Sequence, residues 1–181
     1  MSQQEYYVLE VPCKFLNDFQ QRHAETFEEV VLVLLRPGRR VLVHTKAFYP
    51  SNVYRLPSGK VGKNESPIEA AQREIAEETG LQPAEIQKIG EIIYMLRCNN
   101  CKQEFRSHVF LCAETFEKPQ PTSKEEEITD FKEVDILELK AIADQLRNLP
   151  AEWSSWGQMR AVAHDFVYYR LKSLFQFDKA K

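Results

Sequence analysis

The chain lacks most of the features that mark membrane, secreted or polymer-binding proteins. No run of apolar residues is long enough to span a bilayer, and the polar first residues, MSQQE, do not resemble a secretion signal. The net charge is only −3, so there is no bulk electrostatic attraction to nucleic acids or anionic membranes. Internal repeats and low-complexity tracts are absent as well. These absences predict a cytoplasmic protein whose partner is neither a nucleic-acid polymer nor a membrane.

Cysteine is scarce too, with four residues in the chain. Cys98 and Cys101 bracket two asparagines as a CxxC motif, which is half of a zinc site that Cys112 or His108 could complete. No second CxxC exists, and the turn of a β-hairpin produces the same spacing. We therefore expect no zinc, and in a reducing cytosol we expect no structural disulfide.

With 181 residues the chain is long enough for one domain, 1–181, with its own core. Residues 1–26 form a preamble of one strand and one short helix that begins after Pro12. The patterns predict strands at 5–11, 27–36, 40–46, 89–97, 105–112 and from 128, and helices at 67–79, 137–150 and 156–177. This order suits an α/β fold in which a mixed sheet lies between helices.

The helix predicted over residues 67–79 has clear signals at both ends. Pro67 suits a first helical turn, Ser66 can cap the free amides before it, and Gly80 accepts the left-handed conformation that ends a helix. The apolar stripe predicted to face the core consists of Ile68, Ala71 and Ile75.

Three carboxylates share another face of this helix. Glu74, Glu77 and Glu78 fall within an arc of about 100°, and Arg73 lies four residues before Glu77, where it can pair with it. Carboxylates gathered on one face repel each other, and a hard cation such as Mg²⁺ removes that repulsion. The alternative is an ordinary solvated acidic helix with Glu–Arg pairs.

The stretch from Gly59 to Leu81 resembles the Nudix box, G-x5-E-x7-R-E-U-x-E-E-x-G-U, where U is aliphatic. Every fixed position of that motif is filled, by Gly59, Glu65, Arg73, Glu74, Ile75, Glu77, Glu78, Gly80 and Leu81. The resemblance implies a Nudix-like α/β/α sandwich. It also implies a pyrophosphatase that uses Mg²⁺, with Mn²⁺ as a substitute.

The resemblance further implies roles for the residues of the motif. Glu74, Glu77 and Glu78 would hold the metal together with the carbonyl of Gly59. Arg73 would orient Glu77 or the neighbourhood of Glu74. Family members often supply a further glutamate from a downstream loop, and here Glu126 or Glu127 could do so; we prefer Glu127 because it adjoins the next strand. Either Glu74 or Glu127 would take the proton from water. The alternative for the downstream glutamates is a solvated run of charge with no role in the reaction.

Candidate substrate contacts lie just before the motif. Phe48 and Tyr54 could stack on a nucleobase, and Arg55 could reach a phosphate. Packing of the two aromatic rings on the sheet edge is an equal alternative, as is a purely local role of Arg55 in capping the loop. His44 alternates with valines and is expected to be a strand-face histidine rather than a ligand.

The leading functional hypothesis is Mg²⁺-dependent hydrolysis of a nucleoside diphosphate linked to another moiety, such as ADP-ribose or a dinucleotide. The first alternative is sanitisation of oxidised nucleoside triphosphates, and the second is a non-catalytic nucleotide-sensing domain. In each case the partner is a small nucleotide-type molecule. A homodimer would fit the spare N-terminal strand.

Overall fold

A computed structural model describes residues 3–177, with side chains through residue 175; the first two and last four residues of the predicted domain 1–181 lie outside this range. The strands are β1 (Gln3–Glu10), β2 (Glu28–Arg36), β3 (Arg40–Lys46), β4 (Ser58–Lys60), β5 (Ile86–Cys98), β6 (Cys101–Cys112) and β7 (Ile128–Val134). The helices are α1 (Cys13–Arg22), α2 (Pro67–Thr79), α3 (Ile136–Arg147) and α4 (Ala151–Phe177).

The strands form one mixed sheet in the order β1-β5-β6-β2-β3-β7, and the short strand β4 pairs with β2 outside this path. β1 runs parallel to β5 and β2 runs parallel to β6, whereas the other pairs are antiparallel. β2 is the branch point, because its first half pairs with β4 and its last two residues pair with β3. The residues after β3 and around β4 therefore converge beside β2.

The alternation of side chains along β2 builds a core on each face of the sheet. Val31 and Val33 face the core that α1 and α4 cover, and Val30 and Leu32 face the smaller core under α2. Helices thus lie on both faces of a mixed sheet. The predicted α/β/α sandwich is confirmed.

Helix α2 begins and ends at the predicted residues. Ser66 and Glu69 form a reciprocal capping box, and Gly80 has the left-handed backbone angle φ of 65°. One detail is wrong: Ile68 is 38% exposed rather than in the core, because it lies in the first turn, outside the stripe that reaches the sheet. Helix α4 begins at Ala151, five residues before the predicted start.

The start of α1 is tied to the far end of β5. Cys13 and Cys98 form a disulfide with their Cα atoms 5.2 Å apart, so the expectation of no disulfide is wrong. The parallel pairing of β1 with β5 aligns Glu10 with Arg97, and this register carries Cys13 to Cys98 across 85 residues of sequence. Cys98 and Cys101 do face each other across the hairpin turn, as predicted.

β1 forms one edge of the sheet and leaves Tyr6 and Val8 exposed. A homodimer through this strand stays a prediction. Across the part of the chain that the structure describes, no helix combines the length and the apolar character needed to cross a membrane.

Candidate active site

Helix α2 is buried against the sheet through small and aliphatic side chains, and this packing gives the three glutamates of its acidic face, Glu74, Glu77 and Glu78, different surroundings. Glu74 lies over Gly59 of β4 and is 6% exposed. Glu78 is fully buried beside Lys46, the last residue of β3. Glu77 is half-buried and is the most accessible of the three.

Arg73 holds the acidic residues around it in fixed positions. Its Nη1 donates to Glu74 Oε1 at 2.7 Å and to Glu77 Oε2 at 3.0 Å, which confirms the predicted pair with Glu77. Its Nε and Nη2 donate to the two oxygens of Glu65 at 2.8 and 2.9 Å, and Nη2 also donates to the carbonyl of Lys60. The hydrogen bonds from Arg73 hold the pKa of Glu65 below its ordinary value. Arg73 therefore joins the loop after β4 to the acidic face of α2.

Gly59 leaves the space that the Glu74 carboxylate occupies. A Cβ atom on Gly59 would lie 1.7 Å from Cδ of Glu74, far inside van der Waals contact. The pairing of Gly59 with Val30 fixes the backbone there, so the strand has little freedom to move away. Glycine is thus required at this position of the motif for a steric reason, which the sequence alone does not reveal.

A fourth carboxylate, Glu126, joins the helix from the loop before β7. One oxygen from each of Glu74, Glu77 and Glu126 lies within 4.8 Å of the others. Glu127, the residue preferred from the sequence, has an exposed side chain, and its backbone adopts a left-handed conformation with φ of 50°. The short 3₁₀ turn ending at Glu126 directs that residue to the cluster, and the reversal at Glu127 turns the next side chain away. The placement favours Glu126.

The loop that carries Glu126 is anchored to the carboxyl end of α2. Gln120 N donates to Thr79 O at 2.8 Å, and Thr122 N donates to Glu77 O at 3.0 Å. Thr122 Oγ1 also donates to Ala76 O at 2.9 Å. These donors satisfy carbonyls that a helix end leaves without partners. The position of Glu126 is therefore coupled to that of the glutamates on α2.

Glu78 lies beneath the cluster in a pocket of basic side chains. Lys46 Nζ lies 3.1 Å from its Oε1, with Arg55 Nη2 at 4.0 Å and His44 Nε2 at 3.9 Å. Neither oxygen of Glu78 has hydrogen-bond geometry to a partner within the described residues. Lys46 also pairs with Glu126 at 2.5 Å and so bridges the buried glutamate to the cluster. His44 is buried on its strand, as predicted, and burial holds its pKa well below the ordinary value, so it is neutral.

Burial raises the pKa of Glu78 from 4.5 to about 7, with Arg55 and Lys46 limiting the rise. Between these two pH values the folded, metal-free protein binds a proton that the unfolded chain has lost, so this group's contribution to stability falls as pH rises. The shift corresponds to about 3 kcal/mol over that window. Glu78→Gln lacks this titrating group and therefore this contribution. The buried histidines titrate in both proteins, so their effect cancels when the two are compared.

We therefore expect the stability of Glu78→Gln relative to the wild type to increase by about 3 kcal/mol from pH 4.5 to pH 7. Urea denaturation in EDTA at several pH values measures this difference. A difference that stays constant with pH would show that Glu78 does not titrate in this range.

The structure separates the three residues proposed from sequence to bind substrate. Arg55 is buried and donates to the hydroxyl of Tyr49 at 2.6 Å. Tyr54 donates to Asp130 at 2.5 Å and lines a separate cavity beside α3. Phe48 is 55% exposed and packs edge-on against Tyr49. Of these three, only Arg55 lines a cavity that also contains Gly59.

A cleft of about 560 Å³ opens above the carboxylates. Glu74, Glu126 and Arg73 line it on one side, and Lys60 and Arg22 bring positive charge to it. Sequence reasoning missed the two basic residues as well as Lys46. Each belongs to an ordinary strand or helix end, and only long-range contacts bring it to the site.

The donor set fits a hard divalent cation. All three clustered side chains offer carboxylate oxygens, which are the ligands that Mg²⁺ prefers, and Gly59 keeps the backbone beside them clear of a side chain. Burial raises the pKa of Glu74, with Glu126 and Glu77 adding to the effect and Arg73 opposing it. A cation would relieve that mutual repulsion.

Known proteins share this architecture. The NUDIX domain of Shewanella oneidensis NrtR complexed with ADP ribose aligns with a TM-score of 0.50 at 18% identity, over 62% of this chain and 74% of that one. The E. coli dihydroneopterin triphosphate pyrophosphohydrolase aligns with a TM-score of 0.51 at 16% identity, over 76% of this chain and 96% of that one. At these identities the likeness concerns the fold.

Sequence comparison gives the family directly. An RNA pyrophosphohydrolase of Thioalkalivibrio sulfidiphilus (strain HL-EbGR7) is 40% identical over 55 residues, which are 30% of this chain and 32% of that protein. The chain thus matches about a third of the length of this curated relative. The NUDIX domain model matches residues 26–156, well over half of the 181 residues. With every motif position filled and the α/β/α sandwich in place, the chain belongs to the Nudix hydrolase family.

Proposed function

We propose that this protein is a Mg²⁺-dependent pyrophosphatase that cleaves the phosphoanhydride bond of a nucleoside diphosphate linked to a second group, such as ADP-ribose or a dinucleotide. The observation that carries this proposal is the cluster of Glu74, Glu77 and Glu126, whose oxygens lie within 4.8 Å of one another at a cleft with positive charge nearby. Carboxylates hold the cation and basic side chains attract the phosphates.

The cation would be held by Glu74, Glu77 and Glu126, with the backbone of Gly59 beside them. Mg²⁺ is the proposed ion and Mn²⁺ a substitute. When bound, such an ion neutralises phosphate charge and lowers the pKa of water. Glu78 supports the site from behind, because it is buried under the cluster and shares Lys46 with Glu126.

Glu74 is the best placed proton acceptor for the attacking water. It lines the cleft beside the other clustered carboxylates, and the hydrogen bond from Arg73 holds it in position. Glu126 is the second candidate, and it pairs with Lys46 at 2.5 Å. Arg73 orients Glu74 and Glu77 through hydrogen bonds and is therefore a positioning residue.

Two further cavities favour a substrate with a group on each side of its pyrophosphate. A cavity between α1 and α4 shares Ser58, Gly59 and Lys60 with the cleft. A polar cavity on the other side shares Val61 and Gly62 with it and is lined by charged side chains. A nucleoside triphosphate would fill one of these two cavities, whereas a nucleoside diphosphate with a second group would fill both.

The test is hydrolysis of a panel of ADP-ribose, NADH, diadenosine polyphosphates, CoA and nucleoside triphosphates, with Mg²⁺ and with EDTA. The RNA pyrophosphohydrolase relative adds an RNA oligonucleotide to this panel. We expect hydrolysis of a diphosphate with two groups and its loss in EDTA. Preference for triphosphates would support the sanitising alternative. Binding without any hydrolysis by folded protein in Mg²⁺ would support the sensing alternative.

A further inference from the structure

The cavity between α1 and α4 is lined by aromatic side chains together with charged ones, which include Glu29 and Arg160. It has a volume of about 200 Å³, and Phe15 and Phe19 of α1 line it together with Trp156 of α4. Pockets for drug-sized ligands measure roughly 300–1,000 Å³, so this volume suits a single ring system. Aromatic faces stack on any nucleobase.

This cavity is continuous with the cleft above the carboxylates. Both are lined by Arg22, His23, Ser58, Gly59 and Lys60. A nucleotide with its phosphates at the carboxylates and its base in the aromatic cavity would place its sugar at these shared residues.

His23 stands at this junction with its ring fixed in place. The ring stacks on Phe19 with centroids 4.1 Å apart and an interplanar angle of 22°, and its Nδ1 lies 2.9 Å from the carbonyl of Phe19. A carbonyl oxygen only accepts, so Nδ1 carries the proton. Phe105 packs against the ring at 5.2 Å. The hydrogen bond to Phe19 uses Nδ1 and so leaves Nε2 for a ligand.

The neutral form of His23 is favoured at pH 7. Burial lowers the pKa of the ring, and the charges of Lys60 and Arg160 lower it further, although the carbonyl of Phe19 and Glu29 act in the opposite direction. With Nδ1 protonated and the ring neutral, Nε2 presents a lone pair. His23 thus offers a hydrogen-bond acceptor beside two basic side chains. A site that bound only phosphates would instead need a hydrogen-bond donor at this position.

We propose that His23 is the specificity-determining residue for a ribonucleoside: Nε2 accepts a hydrogen bond from a ribose hydroxyl of the substrate whose base lies in the aromatic cavity. This inference rests on the proposed function and adds the orientation in which the substrate lies in the site. One hydrogen bond contributes about 0.5–1.5 kcal/mol, which corresponds to roughly a 2- to 12-fold preference for the ribonucleotide.

The experiment uses tryptophan emission, because the two tryptophans of the chain, Trp153 and Trp156, both line the groove that leads into this cavity. The protein in Mg²⁺ is titrated with AMP, GMP, CMP and UMP, which have no phosphoanhydride bond to hydrolyse, and then with the 2′-deoxy and 3′-deoxy forms of the tightest ligand. We expect saturable quenching and a roughly 2- to 12-fold weaker Kd for one deoxy form. His23→Phe, which keeps a ring for stacking, is expected to bind all three forms equally.

Tyr169→Phe, an exposed aromatic change elsewhere on α4, is the matched control and should keep the wild-type preference. His23→Gln retains a hydrogen-bond acceptor and should keep part of the preference for the ribonucleotide. This variant provides the test if His23→Phe does not fold. Equal affinities in the wild type, a preference that survives His23→Phe, or no quenching by any nucleotide would overturn the proposal. Hydrolysis of the panel in Mg²⁺ without quenching would leave the proposed function standing, and quenching with the ribose preference but no hydrolysis would leave this inference standing.

Discussion

Gly59→Ala is expected to lower kcat by at least about 100-fold, because displacement of a catalytic group by about 1 Å costs this much. The new methyl group would lie 1.7 Å from Cδ of Glu74, so the carboxylate must leave the cluster. That movement also strains the hydrogen bond from Arg73 to Glu74. We expect a loss of stability of about 1–3 kcal/mol, as for other overpacked sites. Steady-state kinetics in Mg²⁺ and urea denaturation measure the two effects.

Gly62→Ala, three residues further along in the loop after β4, is the matched control. Its Cβ would lie 3.2 Å from Oε2 of Glu65, an approach that a shift of a few tenths of an ångström relieves, in contrast to the 1.7 Å approach at Gly59. We expect kcat to change little. If Gly59→Ala kept the wild-type kcat, or if Gly62→Ala lowered kcat by the same factor, the role of Gly59 would not be to leave space for the carboxylate of Glu74.

The parts of the fold that local chemistry determines were predictable from the sequence. Both ends of α2 depend on residues within a few positions of each other, Ser66 with Glu69 at the start and Gly80 at the end. The strand β3 also has the bounds predicted from the sequence, residues 40–46. The error at Ile68 has a local origin too: helical periodicity gives the direction of a side chain, but not whether the sheet extends far enough to cover the first turn.

The remaining features depend on contacts between distant residues. The disulfide between Cys13 and Cys98 follows from the parallel pairing of β1 with β5, and no local pattern specifies that register. Lys46 looks like an ordinary strand end, yet the pairing of β3 with β7 brings it to Glu126. From the sequence, Arg55 could reach a phosphate or cap its loop. In the structure it is buried near Glu78 and donates to the carbonyl of Leu56, because α4 covers the loop that carries it. A contact between Arg55 and a phosphate stays a prediction.

The choice between the two downstream glutamates leads to the second large effect. Glu126→Gln keeps the shape of the side chain but removes one charge from the cluster of Glu74, Glu77 and Glu126. Loss of a metal-directed carboxylate or of a general base is expected to lower kcat by roughly 10²–10⁴-fold. Folding should be retained, because Lys46 keeps its ion pair with Glu78. The measurement is kcat over a series of Mg²⁺ concentrations.

Glu127→Gln supplies the comparison, since the same charge is removed one residue further along. Its side chain is exposed and follows the left-handed turn, so kcat should stay close to that of the wild type. If excess Mg²⁺ restores the rate of Glu126→Gln, the residue acts by holding the ion; if the rate stays low at saturation, it acts on the proton of the attacking water. A loss in Glu127→Gln with normal Glu126→Gln would mean that the loop rearranges when substrate binds, and the residue preferred from the sequence would then be the functional one.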